Sequence, residues 1–143
     1  MFHLDKQKLN KEVLDILKKH KVGTLSTVVD NKPHSRYMTF FNDELMLYTP
    51  TNKNTHKAEE IGENPNVHIL LGYEGEGFGD EYIEFEGKAS ISEDQRLKEK
   101  IWNDQMKNWF EGPNDPDYIV LAIKPNKIRL MNSGQESPQT LEV

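Results

Sequence analysis

The sequence contains no cysteine. Disulfides, thiolate catalysis and zinc–sulfur sites are therefore excluded. No run approaches the ~20 apolar residues of a membrane span, and no signal-like apolar segment precedes the first helical pattern. The expectation is a soluble cytoplasmic protein with no membrane partner. Positive charge is in deficit: 18 Lys and Arg stand against 24 Asp and Glu, a net charge of −6. That balance argues against a general nucleic-acid surface. The 5 histidines include no i, i+4 pair of the kind a helical metal site uses, so no metal is expected. Nor is there a dinucleotide fingerprint. Gly75 and Gly77 open one, but Asp80 stands where its third glycine belongs and strand-like residues follow; a flexible hairpin connection over residues 74–80 is the simpler expectation.

Catalytic pairs are equally scarce. His34 and Ser35 are neighbours on a strand and so point to opposite faces. Glu84 and Glu86 share a strand face, where two carboxylates read as solvated charge. No side chain is nominated as catalytic. At 143 residues the chain suits one domain spanning 1–143, long enough for a real core, with 132–143 expected as a mobile tail.

What is present is a series of short strands. Leu9, Val13, Ile16, Leu17 and His20 recur at helical spacing, giving an amphipathic helix over 5–20 with Asp5 as its cap. Val22–Val29 is rich in β-branched residues, and Asp30-Asn31-Lys32 turns it into a second strand. There Arg36, Met38 and Phe40 alternate with Tyr37, Thr39 and Phe41. A third strand follows at Leu45–Thr49, then a helix over 55–63 and a buried strand at Val67–Tyr73. Residues 82–92 alternate polar and apolar, and Gly87 marks a bend or bulge. A helix, whole or broken, is expected over 93–110. Tyr118–Ile123 is a strand stopped at Pro125, and Lys127–Met131 a last short one. The fold class is mainly β with peripheral helices (α+β), a six- to seven-stranded antiparallel barrel rather than a doubly wound sheet.

The most informative stretch is Ser35–Ile61. With Asn54 or Thr55 as N-cap, Lys57 falls in the first turn of a helix, where the macrodipole disfavours a cation. An anion bound there removes the conflict, since free N–H groups at a helix N-terminus bind phosphate. Thr49, Thr51 and Thr55 add hydroxyl donors, and Arg36 a planar bidentate fork. The competing view is an exposed lysine and a surface arginine without a ligand.

Arg36-Tyr37-Met38-Thr39-Phe40, Leu47-Tyr48-Thr49, Thr55-His56-Lys57-Ala58-Glu59-Glu60-Ile61 and Asn64-Pro65-Asn66-Val67 together resemble the FMN-binding split-barrel family typified by pyridoxamine 5′-phosphate oxidase, in its general stress protein 26 branch. Glu86-Gly87-Lys88-Ala89 and Trp109–Pro116 extend the resemblance, which covers about residues 10 to 131.

It implies FMN as cofactor, with Arg36, Thr55, His56 and Lys57 at its phosphate and Thr49 nearby. Met38, Thr39 and Phe40 would run along the isoalloxazine ring through their backbone, and Tyr48 would flank the site. It also implies a homodimer with the flavin at the interface, Trp109 being a candidate from the facing subunit; core packing is the alternative for Trp109. A small-molecule electron donor, a reduced nicotinamide, and a small acceptor or free flavin would be the reaction partners. Two other readings share the fold: a non-catalytic FMN-binding or sensing module, and a deazaflavin-dependent reductase. The oxidases grip their substrate's phosphate with a C-terminal arginine-containing segment, whereas here Arg129 is the only arginine there; the pyridoxamine 5′-phosphate site is expected to be missing.

Overall fold

The computed structural model describes residues 2–75, 80–133 and 138–143, and of residues 2–5 the backbone alone. Helix α1 (Phe2–Lys19) starts earlier than its amphipathic pattern suggested, so Asp5 lies inside it rather than at its cap. Leu9, Val13 and Leu17, each four residues apart, are buried on one face of α1. There follow β1 (Val22–Val29), β2 (Lys32–Thr39), β3 (Phe41–Asp43), β4 (Met46–Asn52) and α2 (His56–Glu63). The chain continues through β5 (Asn66–Leu71), β6 (Tyr82–Ser92), α3 (Gln95–Ile101), a 3₁₀ turn (Asp104–Asn108), β7 (Tyr118–Met131) and β8 (Gln139–Leu141). Among the described residues no helix is long and apolar enough to cross a membrane.

All strand pairs are antiparallel, in the order β2-β1-β5-β6-β7-β4-β3, with β8 added on β7. The expected split barrel is thus present. Consecutive strands β2 and β3 stand at opposite ends of this order, and Phe40 alone joins them. The sheet therefore curls until its edges approach, leaving a seam between β2 and β4. Across the seam the Thr49 hydroxyl donates to the Thr39 carbonyl at 2.7 Å. Pro33 is accommodated within β2 because this is an edge strand, whose outer N–H groups need no ladder partner.

Inward residues of alternating strands make the main core: Leu25 on β1, Leu47 on β4, Val67 and Ile69 on β5, Ile83 and Phe85 on β6, Leu121 and Ile128 on β7. Each such side chain removed from water contributes about 1.5–3 kcal/mol before entropy is counted. Strand β5 stops at Leu71, short of Tyr73, because Gly72 adopts a φ of +106°, which a side chain would strain.

Strand β7 differs more from expectation. Pro125 does not end it: Gly87 pairs with Pro125 and Glu86 with Lys127, leaving Asn126 unmatched in a bulge that absorbs the proline's missing donor. A Cβ on Gly87 would meet the Lys124 carbonyl at 2.6 Å, so this close crossing also needs glycine. The C-terminal segment is likewise no tail throughout, since β8 pairs with β7 and Leu141 is buried in the core. Residues 76–79 of the expected hairpin connection and 134–137 of the tail lie outside the described residues.

A second apolar cluster forms beside the seam from Ile101, Met106, Phe110, Tyr118 and Val120. Here the expected helix over 93–110 is broken at Trp102-Asn103. Asp94 caps α3 by accepting from Arg96 N–H at 3.0 Å, and Asn103 caps the 3₁₀ turn by accepting from Gln105 N–H at 3.0 Å. Tyr118 anchors the cluster. Its ring lies 5.0 Å from Phe110 and 5.7 Å from Trp102, its hydroxyl donates to the Lys98 carbonyl at 2.8 Å, and burial pushes its pKa up to about 12.

Candidate functional site

The seam opens into a cleft of about 500 Å³, within the range of small-molecule and cofactor sites. One wall is the end of β2, with Tyr37, Met38 and Thr39, together with Val22 and Phe41. Pro50, Thr51 and Asn52 of β4 form the floor, Thr55 and Lys57 at the start of α2 one end, and Asn103, Gln105, Met106, Trp109 and Phe110 the facing wall. Among the described residues Lys57 is the one charged side chain on the lining. The rest is apolar, aromatic, or neutral amide and hydroxyl.

The cationic end is built locally. Thr55 is the N-cap in an extended conformation, but its side chain makes no capping bond. Its hydroxyl donates instead to the Asn52 carbonyl at 2.8 Å, leaving the first-turn N–H groups of α2 open. Asn52 returns a bond through its side chain, accepting from Asn54 N–H at 2.9 Å. The loop is also tied to the turn before β7, where Lys53 N–H donates to the Asp117 carbonyl at 2.9 Å. Burial lowers the Lys57 pKa, the Arg36 guanidinium lowers it further, and Glu60 opposes both. Two cations thus sit close enough to repel at a helix end that itself favours an anion.

Of the residues nominated from sequence, the cleft gathers Met38, Thr39, Thr51, Thr55, Lys57 and Trp109. Trp109 does not pack in the core as its helical spacing allowed; it is 73% exposed on the cleft rim. Arg36 stands beside Lys57, off the lining, and is bound to Glu60, Thr27 and the Leu25 carbonyl. Phe40 points into the main core and its N–H donates to the Lys21 carbonyl at 2.6 Å. Tyr48 packs on the second cluster, Thr49 is buried in the seam bond to Thr39, and His56 is exposed at the helix start. Sequence reasoning missed the facing wall as a unit. Its signal was the break at Asn103, a capping residue in mid-pattern that turns Met106 and Phe110 toward the seam.

Arg129 is placed away from the cleft. Its Nη1 donates to Glu84 at 3.0 Å and pairs with Glu86 at 3.3 Å, while His68 meets the same Glu84 carboxylate at 2.9 Å.

A curled antiparallel sheet whose seam holds such a cleft defines the split-barrel class of proteins. The family model described as pyridoxamine 5′-phosphate oxidase matches residues 9–132. General stress protein 26 of Bacillus subtilis (strain 168) is 56% identical over 140 residues, covering 98% of this chain and 100% of that protein. The crystal structure of General Stress Protein 26 from Bacillus anthracis str. Sterne is 39% identical, with a TM-score of 0.85 over 94% of this chain and 98% of that one. A putative pyridoxamine 5′-phosphate oxidase from Listeria innocua is 44% identical, with a TM-score of 0.78 over 87% of this chain and 99% of that one. The chain belongs to the pyridoxamine 5′-phosphate oxidase family.

Proposed function

We propose that the protein is a homodimeric FMN-binding oxidoreductase of the general-stress type. The observation that carries this reading is the paired Arg36 and Lys57 at an uncapped helix start, opening on an aromatic cleft. The fit has three parts. Lys57 forms no ion pair among the described residues and its pKa is lowered, so a phosphate dianion relieves a standing repulsion. The cleft volume suits a flavin-sized ligand. Strand β2 is an edge, so the outward backbone groups on either side of Met38, apart from the Thr39 carbonyl held by Thr49, are available to a heterocycle's polar rim.

In this reading Lys57, Arg36 and the open N–H groups at the start of α2 hold the phosphate, the Thr55 hydroxyl joining them by turning from the Asn52 carbonyl, while Tyr37, Phe41, Met106 and Trp109 flank the ring and exclude water. FMN, when bound, supplies the electron transfer between a reduced nicotinamide and a small acceptor. The chain's own contribution is binding and orientation. The dimer reading draws on Trp109, whose exposed indole on the rim suits coverage by a second subunit.

Pyridoxamine 5′-phosphate oxidation is not part of the proposal. A second phosphate needs cations beyond Arg36 and Lys57. Arg129 is committed to two carboxylates, and neither it nor Lys127 lines the cleft.

The test is direct. Purified protein is expected to bind one FMN per chain by calorimetry, and steady-state flavin reduction by a nicotinamide separates turnover from mere storage. Arg36→Ala and Lys57→Ala are each expected to weaken FMN by about ten- to a hundredfold, roughly 1.5–3 kcal/mol for a charge-assisted contact, while sparing riboflavin. Equal losses for both ligands would mean that these residues support the fold instead.

A further inference from the structure

Strand β1 carries a hydroxyl where its alternation calls for an apolar side chain. Thr27 follows Gly23 and Leu25 on the inward face and is fully buried. Valine would fill the same space and suits a strand at least as well, so the hydroxyl needs its own explanation. It makes two bonds, donating to Glu60 Oε2 at 2.7 Å and accepting from Arg36 Nη1 at 2.8 Å. Glu60 Oε2 also accepts from Arg36 Nη2 at 3.3 Å, and the Leu25 carbonyl accepts from Nη1 at 3.3 Å. Of the five N–H donors of an arginine, three are therefore committed to the protein. The other two remain for a ligand. The contacts join β1, β2 and α2, and they fix the plane of a guanidinium that would otherwise turn on a flexible stem.

We propose that Thr27 and Glu60 are positioning residues: together they brace Arg36 so that its two uncommitted N–H donors stay presented beside Lys57 for the anion. The inference rests on the phosphate reading of this site. Without the brace, Arg36 and Lys57 repel and the longer side chain swings away, so an incoming phosphate must first reorder it. Glu60 supplies the negative charge that holds the two cations together while no anion is bound, and the Thr27 bond is the largest influence lowering its own pKa. Thr27 adds direction without adding charge, which makes it the cleaner residue to test.

Two measurements decide the matter. In flavin-free protein, nitrogen-15 NMR of the Arg36 guanidinium is expected to show slow rotation about Nε–Cζ, and Thr27→Val and Glu60→Gln are each expected to speed it. In titrations, Thr27→Val is expected to lower FMN affinity about three- to tenfold relative to riboflavin. In an Arg36→Ala background the same change is expected to have no selective effect, because the brace acts only through Arg36. Thr27→Ser keeps the hydroxyl and restores the ratio, so a poorly folded valine variant does not leave the question open. Equal weakening of both ligands, a selective effect persisting without Arg36, or an unchanged FMN-to-riboflavin ratio would each overturn the proposal. If the wild-type chain binds neither flavin, the phosphate reading falls, yet the brace is still decided: unaltered guanidinium rotation in Thr27→Val refutes it.

Discussion

Lys57 concentrates the electrostatic logic of the molecule. Its ammonium is partly withdrawn from water and faces Arg36, so its pKa lies below the ordinary 10.5. A bound phosphate reverses that pressure by favouring the charged form, so binding draws a proton onto the lysine when it starts neutral. The sign follows. FMN affinity is expected to be full while Lys57 is protonated and to fall as pH rises through the lowered pKa. Riboflavin, titrated in parallel, cancels the ionisation of the ring itself. Lys57→Arg is expected to remove the selective alkaline fall, since a guanidinium stays charged; a persisting fall would assign the titration to another group. Thr27 and Glu60 teach the complementary lesson. Neither was nominated from sequence, although Thr27 gave a signal as a hydroxyl on the inward register of an apolar strand.

The strands were legible because their alternation is a local property, as on β6, where Ile83, Phe85 and Ala89 turn inward. The cationic end of the cleft was legible for the same reason, resting on the order of residues around one helix start. What could not be read locally was pairing. Pro125 looked terminal until pairing with β6 placed a bulge at Asn126 beside it, and 139–141 looked like tail until β7 offered an edge. Likewise Trp109 had core spacing but no core to reach once the helix broke at Asn103. The seam is a pairing feature of this kind, closed by the bond from Thr49 to the Thr39 carbonyl. Thr49→Val keeps the shape and removes the donor. It is expected to cost about 1–3 kcal/mol, the range for leaving a buried partner unsatisfied, as a shift in the urea midpoint with unchanged slope. A loss below a few tenths of a kcal/mol would show that the carbonyl finds water in place of Thr49.

Across the whole molecule, one end of the outer face of β2-β1-β5 carries a group of exposed apolar side chains. Tyr37 and Leu70 both pair across Thr24, and with Val22 and Tyr73 they form an exposed group. Val22 and Tyr37 also line the cleft, so the apolar face and the proposed flavin site are continuous. A two-fold partner seated there would cover both at once. Leu70→Lys lies on this face but off the cleft lining, and is expected to yield a folded monomer by light scattering, with flavin affinity reduced. A variant that remains dimeric would place the subunit contact elsewhere, and a wild-type monomer with flavin bound would refute the arrangement.

The link at Phe40 bears on how the chain acquires its shape. Hairpin β1–β2 can form early from neighbouring residues, but β4 must find β7 across most of the remaining chain before the two edges approach. Non-local pairings of this kind slow folding. The seam therefore comes into being late, and no partly folded intermediate offers a ligand the complete cleft. A flavin that binds only the finished barrel stabilises it by mass action without assisting the search. Added FMN should thus slow unfolding and raise the melting temperature while leaving the refolding rate unchanged in stopped-flow traces; faster refolding would mean that the cleft forms before the barrel closes.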